Sequence, residues 1–487
     1  MRVSGRKQTA RLPQEERRMD ETMQLATYAS ALRYEDLPPE VVERAREIAL
    51  HTWCVQLAGS TLPWSQAIWR HVRDQGGNPQ CTIVALGSRT SAVNAALVNG
   101  SFGHSFEMDD SHAATGIKGG CAVVPAALAI AEQGPALGSA LGPVSGRDFI
   151  VAIVAAYEVM TRIGLAVTPA LMVKGHHPTG CCGPFGAAVA AGKLLGFDAV
   201  TMRHALSIAA AQSAGLLEAP AGGRGDLKRL FGGMAAANGL RAALLAREGL
   251  TGPATMLEGE HGFCHSYGDG TRLNALTAGL ASVWQILHVH YKPYAQDGYI
   301  QPMTEAFDQI LRRHSFMADD IAEVRVGCSA HAHDHIAGLI REPRDLTSAQ
   351  FSINFSLALY FFKRGAGFQE YTQDSLDDAA IIALGRRIHS EIDDEVEAEW
   401  QRSKARGARV TVRLRSGAVH SAYVPMLRAM SPAEVDEKSR RLAAVVLDGA
   451  QCERLVDAVR HLDEMDDVAQ IVPLLRATGT AASGRAT

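Results

Sequence analysis

The chain has 487 residues, of which 47% are hydrophobic and 21% charged, and its formal net charge is −4 at pH 7. These values describe a soluble globular protein long enough for two domains, without the basic footprint of a nucleic-acid-binding protein. The sequence shows no run of about 18 apolar residues, so no membrane span is predicted. The eight cysteines are sparse and suit reduced thiols in a cytoplasmic enzyme better than a disulfide framework.

The N-terminal segment, residues 1–19, is polar and basic, and we expect it to be a disordered extension. It lacks the apolar core of a secretory signal. An Arg-rich transit peptide and a translation start at Met19 are both open alternatives.

Residues 20–288 have the pattern of a large helical domain. Pro38-Pro39-Glu40 opens a helix, because proline is tolerated in a first helical turn. Further long helices are predicted from Phe149 to Val167, from Thr201 to Leu217 and from Leu227 to Glu248, the last ending at Gly249. Several of these helices are rich in Ala and Gly, which lets their axes approach closely.

Residues 289–427 are predicted to form a smaller α+β unit. Val324, Val326 and Cys328 alternate with polar or small residues, as in a strand. The segments 408–415 and 419–424 flank a Ser-Gly turn and predict a hairpin, and 349–362 is predicted to be helical. Residues 428–477 return to helices that should dock on the first domain, and 478–487 are expected to be a disordered tail.

The segment from His104 to His112 carries two histidines and the carboxylates Glu107, Asp109 and Asp110. It lies between two apolar, small-residue runs. Buried carboxylates are costly unless they are paired or protonated, so such a place is a candidate site of chemistry. The alternative is a solvated loop that caps the next helix.

Three further segments offer histidine or cationic side chains. His176-His177 precede a Gly-rich turn and an Ala-rich helix, whose N-terminus could bind a carboxylate. Lys228 lies at the head of another predicted helix, where its charge is disfavoured unless an anion joins it. Lys292 lies at the proposed domain junction, a favoured place for a pocket.

Metal and nucleotide sites are not predicted. The alternating histidines at 331, 333 and 335 could share one face of an extended segment, but the following residues do not complete a zinc signature. The adjacent Cys181 and Cys182 lack metal-binding spacing, and the sequence contains no Walker A loop or dinucleotide fingerprint.

As a set, four segments resemble the MmgE/PrpD family, in family order across about residues 20–470. They are HSFEMDD at 104–110, KGHHPTGCCGPFGAAVAAGKLLG at 174–196, LKRLFGGMAAANGLRAALLAREGLTGP at 227–253 and YKPYAQDGYIQP at 291–302. The resemblance implies a mainly α fold, with a large all-helical domain (20–288 and 428–477) and an inserted α+β lid (289–427). It also implies a cofactor-independent homodimer, with no metal, that acts on a small polycarboxylate.

The family's functional residues map onto this sequence. The resemblance implies pocket roles for Glu107, Asp109, Met172, His177, Lys228 and Lys292. We predict that Asp109, Lys118, His177, Lys228 and Lys292 are catalytic. We predict a substrate-binding group of five residues, namely Glu107, Ser111, His112, Met172 and Phe355.

Three departures from the family pattern bear on the reaction. The catalytic histidine of the decarboxylases aligns with Lys118, or with Ile117 after a one-residue shift. Their pocket tyrosine aligns with Phe355, and a histidine after the second lysine aligns with Asp297. These changes argue against direct transfer of cis-aconitate decarboxylation.

The predicted function is therefore a lyase that works through a carbanion beside a carboxylate, first of all a hydro-lyase similar to 2-methylcitrate dehydratase. An epimerase similar to iminodisuccinate epimerase and a carboxy-lyase similar to cis-aconitate decarboxylase are alternatives. A non-catalytic carboxylate-binding protein is a further alternative of a different class. In the enzyme hypotheses, Lys228 and Lys292 bind substrate carboxylates, and His177 or Lys118 exchanges the proton.

Overall fold

The computed structural model describes residues 20–134, 142–221, 225–334, 340–365 and 367–478. The predicted disordered extension, 1–19, lies outside these ranges, as does the tail from residue 479 onward. Thr478, predicted to begin that tail, is instead bound to the body of the protein. Its hydroxyl oxygen accepts the N–H of Asp448 at 2.7 Å, and its own N–H donates to the carbonyl of Val446 at 3.2 Å.

The protein is mainly α-helical with small sheets, as predicted. The helices before residue 270 are α1 (Glu21–Ala31), α2 (Pro39–Gly59), α3 (Pro63–Gln75), α4 (Ala92–Gly103), α5 (Gly120–Gln133), α6 (Gly146–Val167), α7 (Ala170–Val173), α8 (Pro178–Leu194), α9 (Ala199–Ala210), α10 (Glu218–Ala221), α11 (Leu227–Arg247) and α12 (Phe263–Ser266). The later helices are α13 (Gln301–Arg313), α14 (Ala330–Ala332), α15 (Leu346–Gln350), α16 (Ile353–Lys363), α17 (Gln373–Asp377), α18 (Ala379–Gly385), α19 (Asp394–Ser403), α20 (Pro432–Ala443) and α21 (Gly449–Arg460).

The central helices pack with little side chain between them. A Cβ atom on Gly100 of α4 would lie 2.8 Å from the Cα atom of Gly233 of α11. A Cβ atom on Gly239 of α11 would lie 2.3 Å from the carbonyl oxygen of Pro184 in α8. Side chains cannot fit at such distances, so glycine allows α11 to contact both neighbours, as the Ala- and Gly-rich composition predicts.

Helix α6 is long and apolar enough to cross a membrane by length and composition, although the sequence analysis predicts no span. Its apolar stretch is almost entirely buried inside the protein. It also carries the buried pair Glu158 and Arg162, whose carboxylate and guanidinium groups lie 3.3 Å apart. Its place is that of a core helix.

Three sheets accompany the helices in the described part of the chain. β1 (Cys81–Thr82) pairs with β2 (Arg89–Thr90), and β3 (Asp110–His112) pairs antiparallel with β4 (Val289–Tyr291). The first domain was predicted to be all-helical. This is wrong, because β3 lies within it and forms a ladder with β4. The third sheet has the order β6-β5-β7-β8, from β5 (Ile321–Cys328), β6 (Ile388–Ile392), β7 (Ala408–Leu414) and β8 (Val419–Val424).

The hairpin predicted around Ser416-Gly417 is confirmed as β7 and β8, which pair antiparallel. The predicted helix at 349–362 is instead two helices, α15 and α16, because Ser352 interrupts the run and caps the second helix. Its hydroxyl oxygen accepts the N–H of Phe355 at 3.2 Å. The helix predicted over 201–217 ends at Ala210. The lid and its boundaries stay a prediction.

The C-terminal helices return to the first part of the chain, where α20 and α21 both pack against α2. The assignment of residues 428–477 to the first domain stays a prediction. The contact brings α20 close to the acidic segment that follows α4.

Candidate active site

The ladder between β3 and β4 assembles the candidate site. Asp110 pairs with Tyr291, Ser111 with His290 and His112 with Val289. The acidic segment before β3 therefore lies beside Lys292, the residue that follows β4. Residues separated by about 180 positions in the sequence meet because the register of the ladder places them together.

Glu107 is the centre of a buried charge cluster. Its carboxylate contacts the Lys228 ammonium, accepts a hydrogen bond from the Arg229 guanidinium at 3.0 Å and lies 2.7 Å from the Lys292 ammonium nitrogen. All four side chains are almost fully buried. The backbone of Glu107 has φ +60°, a left-handed conformation that is uncommon for a residue with a side chain and is often found at functional sites.

The cations around Glu107 come from separate elements. Lys228 and Arg229 lie in the first turn of α11, and Arg229 also contacts Gln350 at the end of α15. Burial and the neighbouring charges of Arg229 and Lys292 hold the pKa of Lys228 well below its usual value. Burial likewise lowers the pKa of Lys292. Both lysines are thus poised to respond to a change in nearby negative charge.

Asp109 links this cluster to two histidines. Its carboxylate lies 2.5 Å from Nδ1 of His104 and 3.8 Å from the Lys292 ammonium. The ring of His104 meets the ring of His177 edge-on, with centroids 5.8 Å apart. His177, Lys228 and Lys292 therefore converge on one region of the protein.

His177 caps the N-terminus of α8. Its Nδ1 accepts the N–H of Gly180 at 3.3 Å, so a proton on the neutral ring would be on Nε2. Burial and the charges of nearby His104 and Lys118 hold the pKa of His177 well below its usual value. A neutral imidazole N–H is a poor acid, which makes His177 better suited to hydrogen bonding than to protonating a carbanion.

Lys118 lies between β3 and α5, and its side chain is only partly enclosed. Its ammonium donates to the carbonyl of Gly116 at 2.8 Å. Desolvation by surrounding atoms, followed by the charge of Lys292, lowers the pKa of Lys118 to about 8. The alternative aligned residue, Ile117, is an apolar side chain buried in the core. Of the two aligned positions, only Lys118 can exchange a proton.

Four further residues predicted to bind substrate lie on β3, α7 and α16. Ser111 is buried on β3, and Nδ1 of His112 lies 3.0 Å from the Thr115 hydroxyl. Met172 is half-buried on α7, and Phe355 lies in the first turn of α16. Within the described ranges, none of these four side chains forms a hydrogen bond to the charge cluster. Their contact with substrate stays a prediction.

Asp110 is part of the acidic segment but is not among the predicted site residues. Its side chain anchors the segment to neighbouring elements. Its carboxylate accepts hydrogen bonds from the Tyr157 hydroxyl at 2.6 Å and from the N–H of Gly120 at 3.0 Å. Burial raises the pKa of Asp110 to about 6. The bond from Gly120 ties the segment to the N-terminus of α5.

Sequence reasoning also missed Arg406, which comes from the loop between α19 and β7. Its guanidinium carbon lies 4.5 Å from the ring centroid of Tyr299. Burial, and then the charge of Arg406, lowers the pKa of His290 to about 3, and Arg406 also lowers the pKa values of Lys118 and Lys292. Among the described residues, no carboxylate lies within ion-pairing distance of this guanidinium. Arg406 thus adds positive charge near the cluster.

One set of potential metal ligands is present in the described ranges. Single donor atoms of His104, Asp109 and Cys121 lie within 4.8 Å of one another. Burial raises the pKa of Cys121 well above its usual value, which favours the neutral thiol, a poor ligand. The neighbouring lysines would also repel a cation, so this set does not fit a resident divalent metal.

His331, the first of the alternating histidines, does not lie in the extended segment considered above. His331 lies in the short helix α14, and its ring stacks on Trp400 with centroids 5.3 Å apart. Residue 335 lies outside the described ranges.

Comparison with known proteins places the chain in a family. The chain matches the MmgE/PrpD N-terminal domain over residues 23–276 and the MmgE/PrpD C-terminal domain over residues 294–464.

Curated relatives are similar over nearly the whole chain. A cis-aconitate decarboxylase-like protein, oryM, from Aspergillus oryzae is 30% identical over an alignment 478 residues long, which covers 93% of this chain and 97% of the relative. The cis-aconitate decarboxylase of Aspergillus terreus is 28% identical over 93% of this chain and 95% of its own length. The human cis-aconitate decarboxylase is 26% identical over 93% of this chain and 94% of its own length. The chain therefore belongs to the MmgE/PrpD family of enzymes.

Proposed function

We propose that the protein is a carboxy-lyase that decarboxylates a small unsaturated tricarboxylate of the cis-aconitate type. The named relatives, which match 93% of the chain, support this alternative over the hydro-lyase that the sequence analysis placed first. The similarity to these relatives carries the proposal, and Lys118 answers the objection that the family's catalytic histidine is replaced. A lysine with a pKa of about 8, beside buried lysines that can bind carboxylates, supplies the acid that the missing histidine would otherwise provide.

The proposed reaction requires one proton and fixed positive charge. The bond from carbon to the departing carboxylate breaks and releases CO₂. Its electron pair forms a new C=C bond, and the former C=C pair moves to the carbon beside another carboxylate. A proton added at that carbon completes the product. Cations near the developing negative charge lower the barrier, because they interact more strongly with the transition state than with the substrate.

The cluster offers the groups for these tasks. An ammonium group has three donors, and the contacts with Glu107 leave donors on Lys228 and Lys292 for substrate carboxylates. Lys118 is the proposed proton donor. His177, with its proton on Nε2, is proposed to orient the substrate by hydrogen bonding.

A direct assay separates this proposal from its alternatives. We expect the purified protein to release CO₂ from cis-aconitate and, in heavy water, to form a product that carries one deuterium at the newly protonated carbon. Proton NMR and CO₂ capture provide the measurements. Dehydration of 2-methylcitrate without CO₂ release would support the hydro-lyase, and deuterium exchange without a new C=C bond would support the epimerase. Binding without turnover of any of these compounds would support a non-catalytic protein.

We expect Arg406 to bind a substrate carboxylate. Arg406→Gln should raise KM by about 10-fold or more with little change in kcat, because a hydrogen bond to a charged group contributes about 1.5–3 kcal/mol. Steady-state kinetics with cis-aconitate measures both constants. Arg386→Gln is the matched control, since Arg386 is exposed on the same α+β segment and pairs with Glu342 at 3.1 Å. An unchanged KM in Arg406→Gln would remove Arg406 from the substrate site.

Two further predictions concern the protein's setting. We propose a cytoplasmic enzyme, supported by eight buried cysteines that are all unpaired. We also propose a homodimer, which follows from the family resemblance alone.

A further inference from the structure

A buried lysine that is not among the predicted site residues contacts the acidic segment directly. Lys438, on α20, has only 1% of its surface exposed. Its ammonium nitrogen lies 2.7 Å from the carbonyl oxygen of Met108, to which it donates, and 2.7 Å from Nε2 of His51 on α2. Met108 is the residue between Glu107 and Asp109.

Lysine is an expensive residue for this position. Within the described part of the chain, no carboxylate lies within ion-pairing distance of Lys438, and its side chain is enclosed by protein. Burial lowers its pKa to about 7. An apolar side chain of similar length would avoid this desolvation, so the hydrogen bonds of Lys438 are the feature that distinguishes it from a packing residue.

The two hydrogen bonds of Lys438 connect it to two elements of the site, the acidic segment and β4. The carbonyl of Met108 is buried with the acidic segment, and such a carbonyl requires a donor. The ring of His51 packs against the ring of Tyr291, with centroids 4.6 Å apart, and Tyr291 immediately precedes Lys292. Lys438 therefore links α20 to the acidic segment directly and to β4 through His51.

The link falls where the backbone needs support. Glu107 has the left-handed φ of +60°, and a small rotation there would redirect the carboxylates on either side of Met108. Glu107 contacts Lys228 and Lys292, and Asp109 contacts His104. Fixing the Met108 carbonyl therefore restrains the two carboxylates on either side of it, Glu107 and Asp109.

We propose that Lys438 is a positioning residue, which acts through the Met108 carbonyl to hold Glu107 and Asp109 in their working orientation. It does not touch the substrate. The kinetic part of the test rests on the proposed function, whereas the structural part does not.

Lys438→Met tests the proposal, because methionine keeps an apolar chain of similar size and removes the donor. We expect kcat for the decarboxylation to fall by about 10²-fold, as for other small displacements of catalytic groups, with a much smaller change in KM. We also expect amide hydrogen exchange in the peptide covering residues 104–112 to become about tenfold faster, because the segment loses its support.

Lys193→Met is the matched control. The Lys193 ammonium donates to the carbonyl of Ser30 at 2.6 Å, a partly buried lysine–carbonyl bond at the C-terminal end of α8, the end opposite His177. We expect Lys193→Met to leave kcat and the exchange of residues 104–112 unchanged, even if its melting temperature falls. A merely structural role of Lys438 would make both variants behave in this way.

Lys438→Arg provides a second variant if Lys438→Met does not fold. Arginine keeps a donor for the Met108 carbonyl, so a folded Lys438→Arg protein should retain more activity than Lys438→Gln, whose shorter side chain cannot reach as far. Equal kcat values for parent and Lys438→Met, or unchanged exchange of residues 104–112, would overturn the proposal. If the parent protein releases no CO₂, the proposed function fails, while the exchange measurement still decides the role of Lys438.

Discussion

Lys118→Met is expected to lower kcat for decarboxylation by about 10²–10⁴-fold, the contribution of a well-placed general acid. The reason is that Lys118 combines a pKa of about 8 with a partly open position beside the cluster. His177 should not replace it, since burial favours its neutral form. Rapid-quench measurement of a single turnover, with saturating enzyme, separates this loss from slower product release.

The pH dependence of kcat is a second test of the proton-donor role of Lys118. A proton donor with a pKa of about 8 is charged below that pH and loses its proton above it, so kcat should decline as pH rises through about 8. Lys118→His should retain part of the activity and move this decline to about pH 6.5 or lower, near the ordinary pKa of histidine.

Lys363→Met is the control for Lys118→Met, because Lys363 is an exposed lysine at the end of α16. It should leave kcat and the pH profile as they are in the parent. Full activity of Lys118→Met, or a decline at the same pH in Lys118→His, would show that another group delivers the proton.

Glu107→Gln is expected to cause the largest loss of stability, about 3–5 kcal/mol in the free energy of unfolding, as when one partner of a buried ion pair is removed. The amide keeps the size of the side chain but not its charge. Lys228, Arg229 and Lys292 would then remain buried around a neutral group. Urea unfolding followed by circular dichroism measures the change.

The same variant should show a defined response to pH. The loss arises from uncompensated ammonium groups, so it should shrink as pH rises and the lysines lose their protons. Glu453→Gln is the control, because Glu453 is an exposed glutamate that pairs with Arg440 at 2.8 Å, and its loss should have no measurable effect. If Glu107→Gln unfolds at the same urea concentration as the parent, Glu107 does not compensate the three cations.

Local sequence signals predicted the elements that depend on local chemistry. Gly249 follows α11 with φ +89°, as expected for a glycine after a helix, and Gly417 has φ +90° in the turn of the hairpin. The acidic segment was also identified, because several carboxylates lie between two apolar runs. The sequence could not show that Glu107 faces three cations, since that contact depends on how α11, β3 and β4 meet.

Lys438 shows both the reach and the limit of such reasoning. Val435, Ser439 and Leu442 form the buried stripe of α20, and Lys438 falls within it. A lysine on the apolar face of a helix is a signal that could have selected it. Arg406 carried no comparable signal, because it lies in a loop where arginine is ordinary. Its place near Lys292 depends on the fold of the α+β segment.

The contact between α4 and α11 has a consequence for the spacing of charge. Lys228 lies in the first turn of the helix that carries Gly233, and Glu107 follows the helix that carries Gly100. Along α11, Lys228 lies about 7.5 Å of axial rise from Gly233. The backbones of α4 and α11 touch at Gly100 and Gly233. Helix geometry, as well as electrostatic attraction, therefore sets the separation between the Lys228 ammonium and the acidic segment. Gly100 and Gly233, which have neither a charge nor a side chain, thereby influence how close the Lys228 ammonium lies to the acidic segment.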